Sequence, residues 1–427
     1  MSLINVKAWI RRSTESVLAR NTLWMLLSQG FRVLMQAIYF IIVARALGVE
    51  QYGAFVSVSA FAAIVAPFVS IGRGDLLIKN VSRNRGSFSE YWGNALAIIA
   101  FSSMILITCT IVLNRFLPTT VPFLVVLLVC ISDLLFLRIL DIAGQAFQSV
   151  QLLSKTAQIN VFFSLARLLA ALVLVVFFND PGIVEWSFLY LISTAIPAIL
   201  AILLVHRILE PPKLALAKVW PEIKEGFYFS ISLSSQTIYN DIDKTMLAQL
   251  STLESTGIYA AAYRLIDVAF TPVRSLLYAS YAKFFQHGSD GIIGSTKFAR
   301  KLLPLAVVYG LASGIGLLIL APIVPYFLGA EYGTVVEALR WLSPLILLKA
   351  THYLAADALT GAGFQGLRSG TQVLVATFNV VLNLWLLPLF SWRGAAWSSL
   401  LSDTLLLICL WSLVFLVRTK SLNNASS

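Results

Sequence analysis

The chain has 427 residues, of which 59% are hydrophobic and 12% charged; its formal net charge is +11 and its mean hydropathy +0.85. A soluble domain carries roughly 25% charged residues, so a water-soluble globular fold is excluded and the apolar excess has to meet lipid. The apolar residues come in runs of 18 to 25, long enough to cross a hydrocarbon core about 30 Å thick. Most of these runs lack the polar stripe of a soluble helix.

In chain order, Met1 to Arg20 is basic and amphipathic, without the compact apolar core and small-residue cleavage site of a secretion signal, and no cleaved leader is expected. Helical spans are predicted at 22–46, 53–72, 90–113, 121–147, 156–178, 184–205, 224–250, 255–283, 300–328, 334–360, 370–389 and 393–417. Cys109, Cys130 and Cys409 fall inside such runs and read as small buried residues. Twenty of the 31 Lys and Arg residues lie in alternate loops and at both termini, whereas the opposite loops carry only Arg115 and Arg393 beside Glu50, Asp180, Glu185, Glu254, Glu331 and Glu337. The positive-inside rule then puts both termini in the cytoplasm. Topology accounts for most of the basic charge, and no nucleic-acid partner is expected.

The pattern predicts an all-α membrane protein of twelve spans in two six-helix bundles. Its parts are a cytoplasmic segment at 1–21, bundles at 22–205 and 224–417, a basic linker at 206–223 and a tail at 418–427. Short outer loops leave no room for the external domain that a membrane glycosyltransferase, ligase or protease uses. The halves also look duplicated. Ala44, Glu50, Gly53 and Phe55 recur as Ala248, Glu254, Gly257 and Tyr259 at a constant offset of 204, with Pro67 and Pro272 following. Six spans per half give both halves the same orientation.

Charges at membrane depth cost about 2.5–3.5 kcal/mol each near a helix centre and generally face a cavity or a partner. Nine basic residues fall within spans (Arg32, Arg45, Arg138, Arg167, Lys244, Arg264, Arg274, Arg340 and Lys349), against the acids Asp133, Asp141, Asp241, Asp243, Asp267, Asp357 and Asp403. Four pairs are spaced to neutralise each other on one helix face: Arg138 with Asp141, Asp241 with Lys244, Arg264 with Asp267, and Glu337 with Arg340. Arg32, Arg167, Arg274 and Lys349 have no acid at that spacing, and Arg32 sits mid-span where snorkelling is hardest. Lone His352 reads more readily as a hydrogen-bonded core residue than as a proton relay. The surplus is positive and mostly arginine, whose planar fork suits phosphate; Arg32, Arg264, Arg274, Arg138, Arg167 and Lys349 are the candidate anion-binding residues. Asp241, Asp243 and Asp267 are the candidates for ion coupling. No Walker lysine loop, metal-ligand spacing or nucleophile elbow is present, so neither a cofactor nor a metal is expected. The loop after the second span lacks the Asp-Arg/Lys-x-Gly-Arg-Arg run of major-facilitator transporters.

The end of the first span, Ala44-Arg45-x-Leu47-Gly48-x-Glu50-x-Tyr52-Gly53, resembles the signature of Wzx-type polysaccharide-biosynthesis flippases of the multidrug/oligosaccharidyl-lipid/polysaccharide (MOP) exporter superfamily. Gly72 to Arg83, Phe88 and Trp92-Gly93 are similar to the same family's second-span exit. The resemblance implies a V-shaped pair of bundles with alternating access through a cationic central cavity. It implies transfer of undecaprenyl-diphosphate-linked oligosaccharide from the inner to the outer leaflet of a bacterial cytoplasmic membrane. The pathway would be O-antigen, capsule or exopolysaccharide synthesis, with glycosyltransferases and a polysaccharide polymerase as partners. It implies cavity arginines in spans one and eight, met here by Arg32 and Arg264. Two other readings stay open on the residues alone: a MATE-like cation-coupled antiporter of drugs or small molecules, and a non-transporting scaffold of a glycan-synthesis complex.

Overall fold

The computed structural model describes residues 3–112, 121–215 and 219–426; Arg115 and Lys218 of the expected loops lie outside the described residues. Among the described residues there is no strand. The helices are α1 (Leu3–Ser70), α2 (Arg73–Arg83), α3 (Phe88–Val112), α4 (Phe123–Cys130), α5 (Leu137–Ser149), α6 (Leu153–Phe177) and α7 (Ile183–Ile208). They continue with α8 (Val219–Leu250), α9 (Leu253–Gly288), α10 (Gly291–Leu320), α11 (Val324–Leu328), α12 (Val335–Leu342), α13 (Leu345–Gly361) and α14 (Gln365–Ser426). Seven stretches among the described residues have the length and hydropathy to cross a membrane: Gly30–Ser70, Arg85–Thr110, Phe123–Ser149, Leu153–Phe177, Ile183–Ile208, Gly291–Leu328 and Gln365–Leu422. The chain is a multi-pass membrane protein. Helices α8, α9 and α13 are absent from that set, and they are the helices carrying Asp241, Asp243 and Lys244, then Arg264, Asp267 and Arg274, then Lys349, His352 and Asp357. Apolar side chains such as Met104, Val176, Phe177 and Ile319 stand exposed on the outer faces; in water they would be an aggregation hazard, and in lipid they are the contact surface.

Two long helices are broken where the predicted spans end. Gly48 breaks α1 at φ 72°, ψ 171°, and Ser391 breaks α14 at φ 54°, ψ −135°. Serine in that backbone region is strained and persists only where its surroundings hold it. Here the Ser391 hydroxyl lies 2.7 Å from Ser251 Oγ and donates to Ser255 Oγ at 2.7 Å. Between α4 and α5, residues Ile131–Phe136 are wound as a π-helical turn, a form that recurs at functional sites.

The chain forms two compact units, one of Met1–Ala46, Val65–Val112 and Pro122–Ile231, the other of Leu47–Ile64, Leu113–Val121 and Ser232–Ser427. In the amino-terminal unit, the segment after α7 lies along α3 by backbone pairing. Lys213 N donates to Ser89 O at 2.9 Å, and Asn94 exchanges hydrogen bonds with Ala215 N and O at 2.8 and 3.1 Å. A methyl group at Gly93 would stand 2.3 Å from Lys213 O, so glycine is what permits that approach.

In the carboxy-terminal unit, the duplicated motifs pack on each other. A methyl group at Gly53 would lie 1.9 Å from Leu253 O, and one at Gly257 would lie 1.9 Å from Val49 O. Gly53 and Gly257 are one repeat apart, as are Val49 and Leu253. The two close approaches are therefore the same contact made twice, as a local two-fold relation between repeats requires. This reciprocity supports the duplication read from the sequence.

Candidate functional site

Polar residues inside spans gather in one node per unit. In the amino-terminal unit the π turn places Ser132 and Asp133 in the interior, both buried. Ser132 Oγ lies 2.8 Å from Thr194 Oγ1, and the Tyr190 hydroxyl donates to Asp133 Oδ1 at 2.9 Å. Arg167 of α6 enters the same node. Its Nη1 donates to Tyr190 O at 3.2 Å, its Nη2 donates to Thr194 Oγ1 at 2.8 Å, and its guanidinium carbon lies 3.4 Å from the centre of the Tyr190 ring. The cation is thus stabilised by a ring face, a carbonyl and a hydroxyl, each a partner that costs nothing to strip of its own charge.

In the carboxy-terminal unit four helices converge on two buried carboxylates. The Tyr259 hydroxyl donates to Asp243 Oδ2, and Ser399 Oγ donates to the same oxygen at 3.3 Å. Asp403, one turn beyond Ser399, has its Oδ1 within 2.8 Å of His352 Nε2 and accepts from the Tyr239 hydroxyl at 2.5 Å. Two lysines flank the ring of Tyr263, Lys244 at 4.5 Å and Lys349 at 4.6 Å from its centre. Lys244 Nζ is paired with Asp241 at 2.5 Å, while Lys349 Nζ donates to the Tyr263 hydroxyl. At the carboxy-terminal end of α13, Arg368 bridges Thr360 at 2.8 Å and Asp357 at 3.4 Å.

The predicted site residues therefore divide by environment. Arg167 and Lys349 are buried, Arg167 bonded to Tyr190 O and Thr194 Oγ1 and Lys349 to the Tyr263 hydroxyl. Arg32 and Arg264 are half-buried on α1 and α9. Arg138 pairs with Asp141 at 2.9 Å and Asp241 with Lys244, as their spacing predicts. The other two predicted pairs are replaced. Asp267 meets Arg274 at 3.3 Å, two helical turns on; Arg274, read from sequence as lacking an acid at helical spacing, has one. Glu337 is taken by Arg393, whose Nε and Nη2 each donate at 2.9 Å. Asp243 is buried, whereas Asp241 and Asp267 keep 30% and 34% of their side chains exposed.

Sequence reading missed the tyrosines. Tyr190, Tyr239, Tyr259 and Tyr263 each hold a charged group, yet in an apolar run a tyrosine counts as one more aromatic. A signal was available: Tyr239 and Asp243, Tyr259, Tyr263 and Asp267, and Ser399 and Asp403 all recur every fourth residue, a polar stripe on one face of each helix.

Comparison with solved structures places this fold. It is similar to the inward-facing conformation of a multidrug-resistance MATE family transporter of the MOP superfamily, at 12% identity and a TM-score of 0.75, covering 93% of this chain and 99% of the other. It is also similar to the lipid II flippase MurJ in an inward closed conformation, at 10% identity and a TM-score of 0.74, over 91% and 87% of the two chains. A MOP superfamily transporter from Pyrococcus furiosus, described as having a binding pocket of reverse polarity, matches at 12% identity and a TM-score of 0.65, over 94% and 96%. No curated protein matches the sequence. The fold is shared with these MOP superfamily proteins. Residues 18–281 match the model of the polysaccharide biosynthesis protein family, and the chain belongs to that family.

Proposed function

We propose that this transporter moves polyprenyl-diphosphate-linked oligosaccharide from the cytoplasmic to the outer leaflet of a bacterial cytoplasmic membrane, by alternating access, for cell-surface polysaccharide synthesis. Membership in the polysaccharide biosynthesis family supports the pathway. The observation that carries the substrate class is the balance of charge within the spans. Each part-exposed acid there, Asp141, Asp241 and Asp267, already faces a basic side chain. Within the spans the basic side chains outnumber the acids, nine to seven, and seven of the nine are arginine, whose planar fork suits a phosphate. Arg32 and Arg264 are the first candidates for contact with the diphosphate, followed by Arg274, Arg138, Arg167 and Lys349.

A diphosphate does not cross hydrocarbon unaided, because an isolated ion there costs on the order of tens of kcal/mol. Guanidinium groups replace its hydration shell with fixed, bidentate donors, while the prenyl tail stays in lipid. With the cell interior negative, each negative charge moved outward gains roughly 2.3 kcal/mol per 100 mV. A cation-coupled antiporter would instead use an unengaged in-span acid, and Asp243 is bonded to Tyr259 and Ser399. The test is leaflet transfer of a fluorescent prenyl-diphosphate oligosaccharide in proteoliposomes. Transfer by the wild type that falls at least tenfold in Arg32→Glu and Arg264→Glu is the expected result. Equal transfer by all three would make the arginines structural, and none by the wild type across several glycans would remove the substrate class.

A further inference from the structure

We propose that the groove between α6 and α7 of the amino-terminal unit binds an anionic glycerophospholipid, with an acyl chain along its floor and the phosphodiester at its charged end. The site is separate from the path of the cargo and does not rest on the transport reading. The groove has a volume of about 360 Å³. Its apolar part is formed by Phe162 of α6 and by Pro197, Ala201 and Leu204 of α7, and Gln158 and Arg207 close one end. Pro197, Ala201, Leu204 and Arg207 follow one another at spacings of four, three and three, so a single face of α7 carries the groove from its apolar to its charged end. Pro197 and Ala201 are buried and small, and they make the floor low. Phe162 stands exposed beside it as a wall.

Length and charge both select the occupant. Pro197 to Arg207 spans ten residues, about 15 Å at 1.5 Å per residue. That is about half of a hydrocarbon core about 30 Å thick, the depth of one leaflet. An acyl chain of a bilayer lipid matches that length, whereas a polyprenyl chain of many isoprene units far exceeds it. At the charged end, Arg207 is exposed and has no ion pair or hydrogen bond among the described residues. The acid three residues on, Glu210, instead accepts from the Ser89 hydroxyl of α3. Lys155 Nζ donates to Gln158 Oε1 at 3.1 Å, which leaves the Gln158 amide nitrogen as a donor and holds a second cation beside it. A guanidinium fork, an amide donor and an ammonium group together complement a phosphodiester. A zwitterionic lipid would bring its own ammonium group against these cations, so an anionic headgroup is preferred. The spans expected at 156–178 and 184–205 end beside Lys155 and Arg207. The charged end therefore falls where headgroups lie, and the apolar part falls in the hydrocarbon.

Stepwise lipid binding to the full-length protein in detergent, read by native mass spectrometry, tests the site. The first phosphatidylglycerol is expected to bind the wild type about tenfold more tightly than phosphatidylethanolamine with the same acyl chains. Arg207→Glu is expected to abolish that preference. Leu204→Trp, which fills the groove from a half-buried position, is expected to weaken binding of both lipids by about tenfold. Should Leu204→Trp fail to fold, Arg207→Glu decides, since it changes an exposed side chain near a helix end. Lys420→Glu, on an exposed residue of α14, serves as the control and is expected to leave the first binding step unchanged. Equal preference in the wild type and Arg207→Glu overturns the site. So does a loss in Lys420→Glu as large as that in Arg207→Glu, which would make the binding a general attraction of anionic lipid to a basic protein. Displacement of the first phosphatidylglycerol by an equal concentration of undecaprenyl phosphate overturns the choice of occupant in favour of a prenyl chain.

Discussion

The two units differ in how many helices each buried charge ties together. The amino-terminal unit buries a cation, Arg167, and surrounds it with a ring face, a carbonyl and a hydroxyl from one neighbouring helix, α7. The carboxy-terminal unit buries acids, Asp243 and Asp403, and satisfies each with a tyrosine and a second donor drawn from different helices. The first arrangement fixes one helix pair. The second ties α8, α9, α13 and the end of α14 into one network, so a change of charge at one carboxylate is felt by four helices. The first is a tie between two helices, the second a network across four.

The sharpest way to break this contrast is Asp403→Ala. It takes the shared carboxylate from buried His352 and half-buried Tyr239, and loss of one member of such a pair typically costs about 3–5 kcal/mol. A melting temperature in nanodiscs close to that of the wild type would show that the network holds nothing together. Tyrosine-to-phenylalanine changes come next and separate the nodes. In Tyr239→Phe the lost hydroxyl is the whole interaction, a hydrogen bond to a charged group worth about 1.5–3 kcal/mol. In Tyr190→Phe the ring that faces Arg167 remains, so Tyr190→Leu is expected to be the more harmful change there. Equal effects of Phe and Leu at Tyr190 would mean that the ring face contributes nothing.

The glycine crossing sharpens the comparison from another side, since it lies wholly in the carboxy-terminal unit but is built from both repeats. Gly53→Ala and Gly257→Ala each push a methyl group against a carbonyl at 1.9 Å. Overpacking of this kind costs about 1–3 kcal/mol, and the two substitutions are expected to match within about 0.5 kcal/mol, the usual limit for independent sites. A large loss at one and none at the other would make the reciprocity accidental.

Much of this was legible in the sequence, for reasons that can be named. The all-helical, multi-pass character rests on hydropathy, which the bilayer imposes on each segment by itself. The breaks in α1 and α14 fall between predicted spans because Gly48 and Ser391 end runs that the pattern already ends. Pairs within one helix, such as Arg138 with Asp141, follow from spacing alone. What stayed hidden depends on two helices at once. Nothing in the spacing of α13 says that His352 meets Asp403, 51 residues on. Nor does α6 show that Arg167 finds its partners on α7, or that the π turn at Ile131–Phe136 places Asp133 beside Tyr190. Tyrosine is the recurring blind spot, because its ring satisfies a hydropathy pattern while its hydroxyl does the holding.

The smallest expected effect belongs to the outermost pair. Glu337 and Arg393 form two parallel hydrogen bonds at 2.9 Å, yet their side chains are 45% and 49% exposed. The bonds with Arg393 hold the Glu337 carboxyl below its usual range, so whatever the pair contributes is present near neutral pH and fades as pH falls through the lowered value. Water and salt compete with such a pair at every moment, and exposed ion pairs contribute little. Glu337→Gln is therefore expected to leave the melting temperature unchanged at about 0.15 M salt, where the screening length is about 8 Å, and to show a small loss only at low ionic strength. A loss comparable to that of Asp403→Ala would mean that the same chemical pair is worth as much in water as in the interior. The distinction between the buried nodes and the surface, on which the comparison of the two units rests, would then fail.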